Sequence, residues 1–118
     1  MADSKNTFEI KEGVTISDEV VAIVAGLAAT EVDGVEALSG NITNAAIPKT
    51  GAGKLSKGVK ISSDQDGLIS VKLSITIRYG FEIPVICAKV QEKVKNAIEN
   101  MTGIGVSAVD IRIATVVM

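Results

Sequence analysis

The chain of 118 residues has no histidine and no tryptophan, one cysteine, two prolines, and only two Phe and one Tyr as aromatics. Each shortage excludes some chemistry. Without histidine there is no Ser–His or Cys–His couple, no imidazole to move protons near neutral pH, and none of the nitrogen ligand that zinc most often takes. A lone Cys87 forms no disulfide within the chain and no CxxC metal site. In "EIPVICAKVQ" it reads as a small buried hydrophobe. So few aromatics leave little to stack on bases, sugars or flavins. Long apolar runs are missing too. The longest is "VVAIVAGLAA", residues 20–29, about half of the ~20 residues that span a bilayer. "MADSKNTFEIKEG" has no apolar core of the kind a signal peptide needs, so the expected location is cytoplasmic.

What is abundant is aliphatic. Apolar residues make up 47% of the chain, so the core is built of Val, Ile, Leu and Ala, and the length suits one domain. The net charge of −2 is unevenly spread. Residues 1–36 carry eight acids and two lysines, whereas residues 37–63 carry Lys49, Lys54, Lys57 and Lys60 and no acid. The lysine-bearing stretch reads as a solvated loop.

"FEIKEGVTIS" alternates, with Phe8 and Ile10 on one side and Val14 and Ile16 after Gly13, as in an edge strand or a bulged pair of short strands. Ser17 is an N-cap, and Asp18 and Glu19 put negative charge in the first turn of a helix expected to run to Val32. That helix is apolar nearly all round and needs cover on more than one side. Its small residues Ala22, Gly26 and Ala29 mark an expected interface with a second copy or an anchor protein, the other reading being close packing inside one monomer.

"SGNITNAAIPKTGAGKLSK", residues 39–57, reads as a long flexible loop with room for one short helical turn. "GVKISS" and "LISVKLSITIRYG" are strands joined by the turn "DQDG". In the second strand Ile69, Val71, Leu73, Ile75, Ile77 and Tyr79 are expected to be buried, and Ser70, Lys72, Ser74, Thr76 and Arg78 wet. Pro84 suits the first turn of a second helix and Gly103 a left-handed C-cap. Val90, Val94, Ala97, Ile98 and Met101 are its expected inner stripe. A last strand, "VSAVDIRIATVV", is expected to bury Val109, Ile111 and Ile113. The order β-α-β-β-α-β predicts a two-layer α+β fold, a small mixed sheet with two helices on one face and a crossover before the last strand. Residues 1–13 form an N-terminal segment and edge strand, and 14–118 a single domain.

"PKTGAGKLSKG" looks like a phosphate loop and fails as one. In the GxxxxGK[ST] frame Pro48 stands at the first glycine, Leu55 replaces the magnesium-binding hydroxyl, and no buried strand leads in. The carboxylate pairs Asp18/Glu19 and Asp64/Asp66 fit a helix start and a hairpin turn, without the apolar neighbours that tune an acid for proton transfer. The rest of a calcium loop around Asp64 is missing. No glycines are spaced as GxxG and no aromatics line the sheet, so nucleic acid is not an expected ligand. The residues point to a protein that works by contact with other proteins, with no catalytic residue, metal or cofactor expected.

Three separated blocks, "ISDEVVAIVAGLAATEVDGV", "YGFEIP" and "VQEKVKNAIENMTGIGV", resemble the alkaline shock protein family of small bacterial envelope-stress proteins, in that order and spacing. The wider likeness covers most of residues 14–116. The resemblance implies a cytoplasmic protein that gathers at the membrane through a partner, associates with itself, and has no established catalytic residue or cofactor. It implies scaffold or adaptor work in the envelope stress response and envelope homeostasis, with a membrane anchor protein as partner. Its alternative is regulation of a fatty-acid or lipid metabolism enzyme.

Overall fold

The computed structural model describes residues 7–118, so residues 1–6 of the expected N-terminal segment lie outside it. The fold is α+β, and it is organised on one strand, β5 (Ile69–Arg78). Its alternating Ile69, Val71, Leu73, Ile75 and Ile77 are buried as expected. The opposite face is not uniformly wet: Thr76 is buried, with Ala37 and Thr115 as its neighbours across the sheet.

β4 (Val59–Ser63) pairs antiparallel with Ile69–Leu73, and β3 (Val35–Leu38) pairs antiparallel with Ile75–Ile77. β6 (Val106–Val117) runs parallel to β5 along its whole length. A strand has two edges, so β3 and β4 lie end to end on one of them, as a single strand interrupted by residues 39–57. The seam falls at Ser74. Its N–H donates to Gly58 O at 2.8 Å, and its C=O accepts from Ser39 N at 2.9 Å. The Ser39 and Ser74 hydroxyls lie 2.8 Å apart. The chain returns so close to its exit that a Cβ on Gly58 would stand 2.9 Å from Leu38 Cβ. Nothing in the sequence marks β3, because "DGVEALSG" is dominated by turn residues.

β1 (Thr7–Lys11) and β2 (Val14–Ser17) form the bulged pair, its register shifting between Glu9 and Lys11. They make a sheet of their own and not an edge of the main one. Phe8 is buried in the core, while Ile10 and Val14 stay exposed. Ser17 Oγ then accepts from Val20 N at 3.3 Å and starts α1 (Asp18–Thr30). The helix ends two residues short of Val32, where Thr30 Oγ1 donates back to Gly26 O at 2.8 Å.

α3 (Ile83–Thr102) begins with Pro84 in its first turn and stops at Gly103, with φ of 75°. It buries Ile86, Val90, Val94, Ile98 and Thr102. The stripe passes through Thr102, and Met101 is exposed, contrary to expectation. α1 and α3 pack on each other, α1 over β3 and β4 and α3 over β6. In β6 only Val109 of the three expected residues is fully buried. Ile111 and Ile113 are half-buried, since β6 is an outer strand.

The 39–57 excursion contains a 3-10 helix (Asn44–Lys49) and one turn of α-helix, α2 (Ala52–Leu55). Ile42, Ile47 and Leu55 are buried. Asn44 Nδ2 donates to Thr30 Oγ1 at 2.9 Å and to Leu27 O at 3.3 Å, tying the excursion to α1. The sheet, α3 and this excursion together cover α1.

Candidate interaction surface

The residues singled out as an interface, Ala22, Gly26 and Ala29, are all buried inside the monomer. A Cβ on Gly26 would meet Leu38 Cδ1 at 3.1 Å and Ile47 Cδ1 at 3.3 Å. The small residues do admit a close neighbour, but that neighbour is β3 and the excursion of the same chain. This corrects the expectation that they form a surface for another protein.

The polar groups have local explanations. Gly51 opens the single turn of α2, which carries Lys54. Lys57 and Lys60 lie with Lys72, Arg112 and Asp110 around a shallow recess on the open face of the sheet. Asp64 Oδ1 accepts from Leu68 N and Asp66 N, each at 2.9 Å, which shapes the β4–β5 turn. The Leu68 N–H holds its carboxyl below the usual range; desolvation opposes it, and the Ser107 hydroxyl and the Asp66 N–H add lesser pulls downward. Glu99 Oε2 accepts from Val106 N at 2.9 Å and Oε1 from Lys95 Nζ at 3.2 Å. The Val106 N–H first, and Lys95 second, lower its pKa. Cys87 is half-buried, and burial pushes its thiol up, away from the reactive thiolate. Among the described residues no three acids or cysteines gather as a metal site, and no helix is long and apolar enough to cross a membrane.

One end of the molecule differs. There β5 leaves the sheet through "RYGFEIP", residues 78–84. The chain is held on both sides: Arg78 N donates to Gly34 O at 2.8 Å and Tyr79 N to Val117 O at 2.7 Å. Gly80, with φ of 100°, then turns it, a conformation that favours glycine. The Phe81 ring settles on the backbone of Gly34, where a Cβ would be 2.8 Å from both Phe81 Cδ2 and Ile86 Cδ1. The Arg78 guanidinium stands 6.0 Å from the Phe81 ring centre. It also bonds Glu36 at 3.1 Å and Asp33 at 3.4 Å. Pro84 then starts α3.

The result is a braced turn that displays apolar side chains. Tyr79 is 69% exposed, and Phe81, Ile83, Val85 and Val116 are exposed with it. Tyr79, Phe81, Ile83 and Val116 line an open groove of about 450 Å³. Tyr79 was expected to be buried with the alternating residues of β5, and it is not. The alternation of β5 does not carry that far, because the sheet ends and Gly80 redirects the chain. The overlooked signal was a tight turn carrying Tyr, Phe and Ile where polar residues are usual.

Fold and surface thus define a small α+β domain whose most conspicuous exposed feature is an apolar, charge-rimmed pole. The chain belongs to the alkaline shock protein family, a family of cell envelope-related function, whose profile matches residues 6–118. It is 35% identical over 100 residues to the uncharacterized protein YqhY of Bacillus subtilis, covering 85% of this chain and 73% of that protein. It is 29% identical over 104 residues to the uncharacterized protein Spy1535 of Streptococcus pyogenes, covering 88% and 78%. To the uncharacterized protein Spy1614 of the same organism it is 30% identical over 112 residues, covering 90% and 89%. No solved structure matches the chain.

Proposed function

We propose that this domain is a non-catalytic scaffold of the envelope stress response. It works in the cytoplasm and reaches the inner face of the membrane by holding a partner protein at the Tyr79–Ile83 pole. The observation that carries this reading is the exposure of Tyr79, Phe81 and Ile83 along one braced turn, with Val116 of β6 beside them in the same groove. Large apolar groups gathered on a surface and rimmed by charge, here Arg78, Glu36 and Asp33, suit contact with another protein. Aromatic anchors at such a site carry much of the binding energy. The partner that fits is an integral membrane protein whose cytoplasmic part offers apolar side chains to the groove.

Affinity capture from the native cell, membranes included, tests it. The wild-type chain should retain an integral membrane protein that the Tyr79→Ser/Ile83→Ser variant loses by about tenfold or more. Equal capture by both chains refutes the assignment of the pole. A lipid-synthesis enzyme captured in place of a membrane protein would instead make the chain that enzyme's regulatory partner.

A further inference from the structure

β6 has β5 on one edge, and among the described residues no strand pairs with the other. A free edge of this length is a template for another strand. The ladder shows which groups it offers. In β5, Ser74 directs its N–H and C=O to Gly58 and Ser39, whereas Ile69 N donates to Gly105 O and Tyr79 N to Val117 O. Odd-numbered β5 residues therefore face β6. In a parallel ladder each bonds the two residues flanking its partner. With Val71 opposite Val109 and Leu73 opposite Ile111, those bonds go to Ala108, Asp110 and Arg112. Val109, Ile111 and Ile113 turn their main-chain groups outward. One outward group already shows this, since Val109 O accepts from Gln91 Nε2 at 2.9 Å.

The sequence of this edge is complementary to itself about Ile111. Asp110 answers Arg112, Val109 answers Ile113, Ala108 answers Ala114, Ser107 answers Thr115, and Val106 answers Val116. Two antiparallel strands related by a two-fold axis place such residues opposite each other. We propose that two copies of this chain pair antiparallel through β6, about a two-fold axis at Ile111.

Ile111 then exchanges both main-chain hydrogen bonds with the second copy's Ile111, and Val109 does so with Ile113. The second lone pair of Val109 O leaves the Gln91 bond in place. Asp110 and Arg112 fall in the non-hydrogen-bonded positions, where opposing side chains come closest. Each meets a group of opposite charge on the open face. On the helix side the half-buried Ile111 and Ile113 gain the cover they lack in the monomer. The ladder is irregular on either side of Ala108–Ile113, so the stretch of unbroken register coincides with this pairing. A strand from an unrelated protein would have no use for the symmetry. Tyr79, Phe81 and Ile83 of the pole lie outside β6.

Sedimentation of the full chain up to about 0.5 mM, with circular dichroism of every variant, tests the pairing. The wild type should form a dimer. Asp110→Arg and Arg112→Asp each create two like-charge pairs and should weaken it about tenfold or more. The double variant Asp110→Arg/Arg112→Asp rebuilds both pairs in reverse order and should recover the dimer. A monomeric wild type, single variants as dimeric as the wild type, or a folded double variant no better than the singles overturns the proposal.

Discussion

Gly58→Ala puts a methyl group at the seam where the interrupted strand closes. The added Cβ would stand 2.9 Å from Leu38 Cβ, 3.4 Å from Ser39 N and 3.5 Å from Ser39 O. None of these is the free end of a side chain. Leu38 is fixed by its pairing with Ile75, and Gly58 by the bond it accepts from Ser74 N. Relief requires β3 and β4 to move apart. Overpacking of this kind costs about 1–3 kcal/mol, and the stiffer unfolded chain returns about 0.4–1 kcal/mol. The net expectation is a loss of about 1–2 kcal/mol. At roughly 4 °C per kcal/mol for a chain of this length, Tm falls by about 4–8 °C. Gly53→Ala is the control. It lies in α2 with nothing within 4 Å of an added Cβ, and it should hold or raise Tm. Thermal melts followed by circular dichroism, at one protein concentration, measure both. A Gly58→Ala protein that melts with or above the wild type refutes the end-to-end strand.

Three further outcomes are expected. Leu73→Asp places an unpaired charge among the buried residues of β5 and should leave the chain unfolded by circular dichroism; a native-like spectrum would mean the buried face is misassigned. Gly26→Leu drives a side chain into Leu38 and Ile47 and should lower Tm by overpacking, while the association state at low temperature follows that of the wild type. Glu99 has a folded-state pKa below its unfolded value, so its contribution is present above the unfolded pKa and is lost as pH falls through the folded one. Urea midpoints should fall between about pH 5 and pH 3, and less steeply in Glu99→Gln; parallel curves would contradict the Val106 contact.

Local chemistry made much of the fold legible. The period of β5, the Ser17 cap, Pro84 and Gly103 are signals a residue carries with it, and each falls where expected. What failed depended on distant neighbours. Ala22, Gly26 and Ala29 were visible as a low-profile face, but the group that fills it is Leu38 with Ile47. These stand in a short strand and a glycine-rich excursion that look like loop. Only three-dimensional pairing shows that residues 35–38 and 59–63 form one edge of β5. The pole was hidden by the same limit. Alternation assigns a face to Tyr79, but not the place where the sheet stops.

If, as proposed, the Tyr79–Ile83 pole brings the domain to the membrane through a partner, its loss should release the chain from membranes. The most direct test is flotation of membranes from native cells carrying either the wild-type chain or the Tyr79→Ser/Ile83→Ser variant, with folding of the purified variant checked by circular dichroism. The wild type should float with the membranes, and the folded variant should remain behind at the bottom of the gradient. Equal distribution of two folded chains would mean that the pole does not hold the domain at the membrane.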